Sequence, residues 1–454
     1  MGTEPVGRLL VRLSIPTVLA QLINMLYNIV DRVYIGHMPE VGSLALTGVG
    51  ICLPIIIIVS AFSAFVSSGS TPRLSIRLGE KDYEGAEKII GESFLFLIII
   101  SVILTAVMLI FGRSLLMSFG ASENTIGYSM DYLRIYAMGT IFVEMTLGMN
   151  SFINGQGFTK MAMYTVLLGA ILNVGLDPVF IYVLKLGVKG AAIATIISQC
   201  VSMIWCISFL RGKKTILKLK KENIAFRWDI IGPCLGLGLA TFVMQSSESI
   251  ISICFNSSAL KYGGDIAVGA MAICTSIMQF SMLPMQGFAY GSQPIISYNY
   301  GAGKADRVKK TFKYLIIGTG TFAGVLWILL MIMPTGFARI FTSEAGLLAF
   351  AGPVLRIFCA AFFIFGIQTA CQITFVSTGN AICSIIVAVV RKFILLIPMI
   401  YIIPHLVENH TRGVFLAEPI ADIIAVCFTI ILFSVQFKKA MKKIESSGTE
   451  SGNI

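Results

Sequence analysis

The apolar residues of this 454-residue chain fall into about a dozen blocks of roughly 20 or more. At 1.5 Å per helical residue, each block is long enough to cross a hydrocarbon layer about 30 Å thick. Hydrophobic residues make up 56% of the chain and charged residues only 13%, about half the roughly 25% of soluble domains, so a soluble globule of this length is excluded. A β-barrel needs segments of about ten residues that alternate polar and apolar. The block 89–111 has no such alternation. The expected fold is an all-α polytopic membrane protein.

Helices are expected at 9–32, 45–71, 89–112, 127–153, 161–184, 188–210, 229–257, 265–295, 312–334, 347–376, 380–404 and 413–437. The net charge of +11 follows this division. If the chain starts inside, the inner segments hold twenty-three basic residues, including Lys213, Lys214, Lys218, Lys220 and Lys221 between segments 6 and 7, and the outer segments hold seven. An excess of Lys and Arg marks cytoplasmic loops, so both termini are expected in the cytoplasm and nucleic acid is not expected as a partner. A cleavable signal is not expected, because the first apolar segment carries Asn24, Asn28 and Asp31 where a small-residue cleavage site would stand.

The two halves match at a fixed shift of 222, at Ala45/Ala267, Gly69/Gly291, Ser70/Ser292, Pro72/Pro294, Arg134/Arg356 and Gly157/Gly379 among others. One added residue then aligns Gly190 with Gly413 and Ala194 with Ala417. An offset held this long marks an internal repeat. Because each copy has six helices, an even number, the copies share one orientation, which is a transporter architecture with the substrate route between halves. The expected organisation is a first lobe at 1–210, a basic linker at 211–228, a second lobe at 229–437 and a polar tail at 438–454.

Ten cysteines and three histidines carry no metal-ligand or C-x-x-C spacing, so neither a metal centre nor a cofactor is expected. The nearest approach to a phosphate loop, at Tyr298 to Lys304, lacks its first glycine and has Ala305 where Ser or Thr should hold magnesium. ATP-driven transport and enzymatic activity are therefore not expected.

An ionisable residue in mid-membrane costs about 2.5–3.5 kcal/mol, so each is a functional candidate. Asn24, Asn28 and Asp31 are spaced as one helical stripe with Tyr27 beside them, while Asn173 and Asp177 stack four apart next to Pro178. Thr195 and Gln199 repeat that spacing in segment 6, and Glu248 shares a face with Gln245, Ser249, Ser252 and Asn256 in segment 7. Asp31 can instead form an interfacial ion pair with Arg32, and Asp177 a packing hydrogen bond. Glu144, Glu418 and Asp422 can be neutralised by Arg134, Arg356, Arg391 or Lys392. Met271, Met278, Met282 and Met285 lie on one face of segment 8, with Gln286 following. Thioethers suit a surface that repacks around unlike ligands, and they are equally ordinary membrane-helix filler. Asn24, Tyr27, Asn28, Gln245, Glu248, Met278, Met282 and Gln286 are taken as candidates for a substrate cavity. Pro16, Pro54, Pro284 and Pro398 are candidate bends.

These motifs together resemble the multidrug and toxic compound extrusion (MATE) transporters, and within them the MepA-like and DinF-like branches. The resemblance rests on Leu26-Tyr-Asn-Ile-Val-Asp31, Ser75-Ile-Arg-Leu-Gly79, Asn154-Gly-Gln-Gly157, Leu172-Asn-Val-Gly-Leu-Asp-Pro178, Gly187-Val-Lys-Gly-Ala-Ala192 and Gly291-Ser-Gln-Pro294 leading to Tyr298-Asn-Tyr-Gly301. It covers nearly the whole chain. It implies antiport of sodium or protons against cationic amphipathic drugs, and a cation site resembling Asp31, Asn173, Asp177 and Thr195, with Pro16 as the bending proline. The NorM-like branch uses an acid on segment 10, where this chain has Gln368 and Gln372. The resemblance therefore gives little support to a cation site in the second lobe. It implies a plasma-membrane protein working as a monomer in lipid on small-molecule drugs and lipophilic cations, without a cofactor. The alternative is a flippase for a lipid-linked saccharide, which should have a strongly basic cavity.

Overall fold

The structure is a computed structural model that describes residues 1–38 and 42–450, side chains at 43 and 447–450 excepted. Among the described residues there is no strand. The long helices are α1 (Val6–Gly36), α2 (Gly42–Gly79), α3 (Tyr83–Ser118), α4 (Ile126–Gly155), α5 (Thr159–Pro178), α6 (Val188–Arg211), α7 (Trp228–Gly301) and α8 (Ala305–Ile332). After the short α9 (Pro334–Ala338) come α10 (Ala345–Phe358), α11 (Phe362–Ser377), α12 (Ala381–Val389), α13 (Ile397–Leu406) and α14 (His410–Glu450).

Nine of the described helices are long and apolar enough to span a membrane. The 74 residues of α7 exceed any single crossing, since 20 residues already span about 30 Å. Its two expected helices meet at Gly264, whose φ of 66° and ψ of −164° are not helical and which only glycine adopts readily. The expected tenth helix is broken, with α10 and α11 bent by 48° across residues 359–361. With α7 as two passes, this bent pair as one, and α4, whose Asp131, Arg134 and Glu144 make it more polar, the chain has twelve spans. Hydropathy did not reveal the break. It also did not reveal the π-helical turns Val179–Val183 after α5 and Val390–Leu396 after α12. The final helix, α14, continues into the segment expected as a polar tail, up to Glu450; residues 451–454 lie outside the described residues.

The chain forms two compact units, Ile15–Phe242 and Met1–Ser14 with Val243–Ile454. The division falls inside α1 and α7, not at the basic linker. Close backbone contacts account for it. A Cβ at Gly69 would strike the Cys234 carbonyl and one at Gly238 the Phe65 carbonyl, so the start of α7 lies directly on α2. In the second unit, a Cβ at Gly291 would strike the backbone of Ser14. Each unit has its own apolar core, one around Cys52, Leu116, Leu133 and Ala191 and the other around Phe255, Cys274, Phe362 and Phe415.

The linker belongs to the first unit. Gln156 Oε1 accepts from Thr215 Oγ1 (2.8 Å) and from the Ile216 (3.1 Å) and Leu217 (2.8 Å) amides. The Glu87 carboxylate accepts from the Lys218 amide and pairs with Lys220, and this holds the Lys220 ammonium above its usual pKa.

Candidate functional site

Helix periodicity and one buried polar turn build the site of the first unit. Asn173 and Asp177 stand one turn apart on α5 and are 2% and 0% exposed. Asn173 Nδ2 donates to Asp177 Oδ1 (3.3 Å) and to Thr195 Oγ1 on α6 (3.4 Å). The carboxyl groups of Asp31 and Asp177 interact directly. All four residues expected in a cation site are thus brought together within one unit. Asp31 Oδ1, Asn173 Oδ1 and Asp177 Oδ2 are buried and have no hydrogen-bond partner. Arg32 is exposed and acts on Asp31 through its charge without a close ion pair among the described residues. Buried acceptors are almost always satisfied; the three unpartnered oxygens have the chemistry to coordinate a small cation.

Beside these residues lies a cavity with about 410 Å³ of empty space, partly open to solvent, lined by Asn24, Tyr27, Thr146, Asn173, Thr195, Ser198 and Gln199 among others. No basic side chain lines it. Asn24 and Tyr27 stand where the α1 stripe placed them, while Asn28 donates to the Asn24 carbonyl (2.6 Å) and is exposed. Tyr132 of α4 contacts Thr195 and lies near Asp31. Sequence reasoning missed it, because a tyrosine on a core face carries no signal of its own. Pro16 lies inside α1.

The remaining acids have different surroundings. In the second unit, Arg391 Nε bonds Asp422 Oδ1 (2.8 Å), its Nη2 reaches Glu418 Oε1 (3.4 Å), and its guanidinium lies 4.5 Å over the Phe365 ring. Lys392 Nζ bonds Glu248 Oε1 at 2.7 Å. Glu248, a substrate-cavity candidate from its helical stripe, therefore has a fixed basic partner, which comes from the π-helical turn 144 residues away, beyond the reach of helical spacing. Glu144 is fully buried with both oxygens unpartnered, and Arg356 donates to the Met331 carbonyl instead. Among the described residues, no acid from α11 joins Glu248, where Gln372 Nε2 donates to Ser384 Oγ (2.9 Å).

The methionine face is largely core. Met271, Met278 and Met285 are buried among Phe255, Ile277 and Phe358, and Met282 packs against that cluster. This corrects the expectation that Met278 lines a cavity. Its helical spacing is the same whether the face meets ligand or core. Gln286 is exposed and Gln245 half-buried.

A profile of the MatE family matches residues 16–179 and again 240–402. The chain belongs to the MATE family of transporters. The double match follows the internal repeat and covers both units. Multidrug export protein MepA of Staphylococcus haemolyticus is similar, 24% identical over 422 residues that cover 93% of this chain and 91% of that protein. Probable multidrug resistance protein YoeA of Bacillus subtilis is 23% identical over 437 residues, covering 95% and 93%. Among solved structures, a MATE transporter in a bent conformation superposes with a TM-score of 0.91 at 24% identity, covering 97% of both chains. A MOP superfamily transporter from Pyrococcus furiosus, described as having a binding pocket of reversed polarity, gives 0.90 at 24% identity, again covering 97% of each. These likenesses establish the MATE fold for this multi-pass membrane transporter.

Proposed function

We propose that this chain is a secondary active multidrug exporter that exchanges cationic amphipathic compounds for sodium ions or protons by alternating access. The observation that carries this reading is the convergence of Asp31, Asn173, Asp177 and Thr195, with three unpartnered oxygens and no basic side chain among them. A low dielectric favours the neutral, protonated carboxyl, whereas sodium coordinated by oxygens keeps it ionised. Either cation discharges the site, and a site that differs in charge between two packings shifts their balance. Each positive charge moving inward through 100 mV contributes about 2.3 kcal/mol, roughly a 50-fold gradient of neutral drug. The multidrug export and resistance relatives support small-molecule drugs as the cargo.

Asn24, Tyr27 and the neighbouring cavity form the drug-contacting surface of the first unit in this reading, with Pro16 as the bend of α1. The protein works as a monomer in the plasma membrane with both termini cytoplasmic, as the distribution of basic residues indicates. Labelling a cysteine placed in segment 211–228 with an impermeant reagent outside intact cells would contradict that orientation. A flippase of an anionic lipid-linked saccharide is disfavoured, because the cavity beside the aspartates has no basic lining.

The test is purified protein in liposomes with a fluorescent cation supplied outside, with only an outward sodium gradient or only an outward proton gradient imposed. One of the two should drive accumulation. Failure of both would remove the antiport reading.

A further inference from the structure

We propose that Lys392 sets the charge preference for transported ligands by cancelling Glu248, so that neutral and zwitterionic amphiphiles are accepted beside cations. This rests on the reading of the chain as a small-molecule exporter.

Gln245, Glu248, Ser252 and Asn256 form a stripe on the first pass of α7, and the last three are exposed. Glu248 lies near mid-length between Trp228 and Gly264, so its depth is that of the hydrocarbon centre. A polar stripe there with a side chain 50% exposed cannot face lipid without a large cost, so it faces water or ligand. Glu248, unlike the buried Glu418 and Asp422, is thus an acid at this depth that a ligand can meet.

Its charge is not free to attract one. Lys392 is 5% exposed and bonds Glu248 Oε1 at 2.7 Å from the buried side. It is held there by the π-helical turn Val390–Leu396, which places both Arg391 and Lys392 inward; such wider turns are frequent at functional sites. The other charged groups around Glu248 are Arg391, Glu418 and Asp422, and Arg391 is already bound by the two acids. A ligand therefore meets a neutral ion pair whose second carboxylate oxygen still accepts a hydrogen bond. Removing the ammonium alone exposes a full negative charge, and removing both charges restores neutrality.

The test is equilibrium binding to the full-length protein in nanodiscs, using ethidium, a permanent cation, and norfloxacin, a zwitterion near neutral pH. Lys392→Met should tighten ethidium about three- to tenfold, as expected for a newly unpaired, half-exposed charge, and shift norfloxacin less than twofold. The Lys392→Met, Glu248→Gln double variant should return ethidium to near the parent value. This variant leaves no charge unpaired and reports even where the single variant fails to fold, because a carboxylate that binds cations directly would make it weaker. Unchanged ethidium binding in folded Lys392→Met, or weakened binding in the double variant, overturns the proposal while leaving the export reading intact. Absence of binding of either compound to the parent protein overturns both.

Discussion

The two units treat buried carboxylates in opposite ways. In the first, Asp31 and Asp177 face each other with unpartnered oxygens and no ion pair to a basic side chain among the described residues. In the second, Glu418 and Asp422 clasp Arg391, and Glu248 bonds Lys392. The repeat register makes the contrast pointed. Aligning Gly190 with Gly413 sets Thr195 opposite Glu418 and Gln199 opposite Asp422. The two glycines are also structurally equivalent, for a Cβ at either would lie 2.6 Å from the backbone that ends the preceding span, at Phe180 and Pro404. The face of α6 that carries the neutral Thr195 and Gln199 corresponds to a face of α14 whose Glu418 and Asp422 are paired with Arg391. Under the proposed function, one copy of the architecture would exchange charge and the other holds it fixed.

The largest expected effect breaks the fixed half. Arg391→Met strands two buried carboxylates and should cost about 3–5 kcal/mol, measurable as a lower thermal midpoint in detergent. Adding Glu418→Gln and Asp422→Asn should recover most of the loss. The same kind of change in the first unit should cost little. Asp177→Asn removes a charge that has no basic partner and should alter stability by no more than about 1 kcal/mol. A smaller effect sharpens the exchanging half. Thr195→Val removes one oxygen and one acceptor for Asn173, and should weaken the coupling ion roughly five- to tenfold, about the worth of one hydrogen bond. Thr195→Ser should retain most of the parent affinity in the same titration.

Much of this contrast was legible in the sequence on one side only. Asn24, Tyr27 and Asp31 share a helical stripe, and Asn173 and Asp177 share a face, so spacing within single helices pointed to the first site. Its completion by Thr195 came with the family resemblance. In the second unit the sequence offered Arg391 among four bases that could neutralise Glu418 and Asp422, but the pairs join different helices through long side chains, and nothing in one helix records which neighbour it meets. For the same reason helical spacing did not record the Lys392 partner of Glu248, and it left the methionines of α7 open between a ligand surface and core filler. The broken span at 359–361 and the π-helical turns carry no hydropathy signal, since backbone geometry there changes without a change in apolar content.

The central claim is that the exchangeable cation is bound by the first unit. It is tested most directly by measuring ion binding to the purified protein, with radioactive sodium in one arm and a pH indicator following proton exchange in the other. Asp31→Asn and Asp177→Asn should each abolish the signal found in the parent. The Arg391→Met, Glu418→Gln, Asp422→Asn triple variant should keep it. A signal that survives in both aspartate variants and disappears in the triple variant would contradict the account.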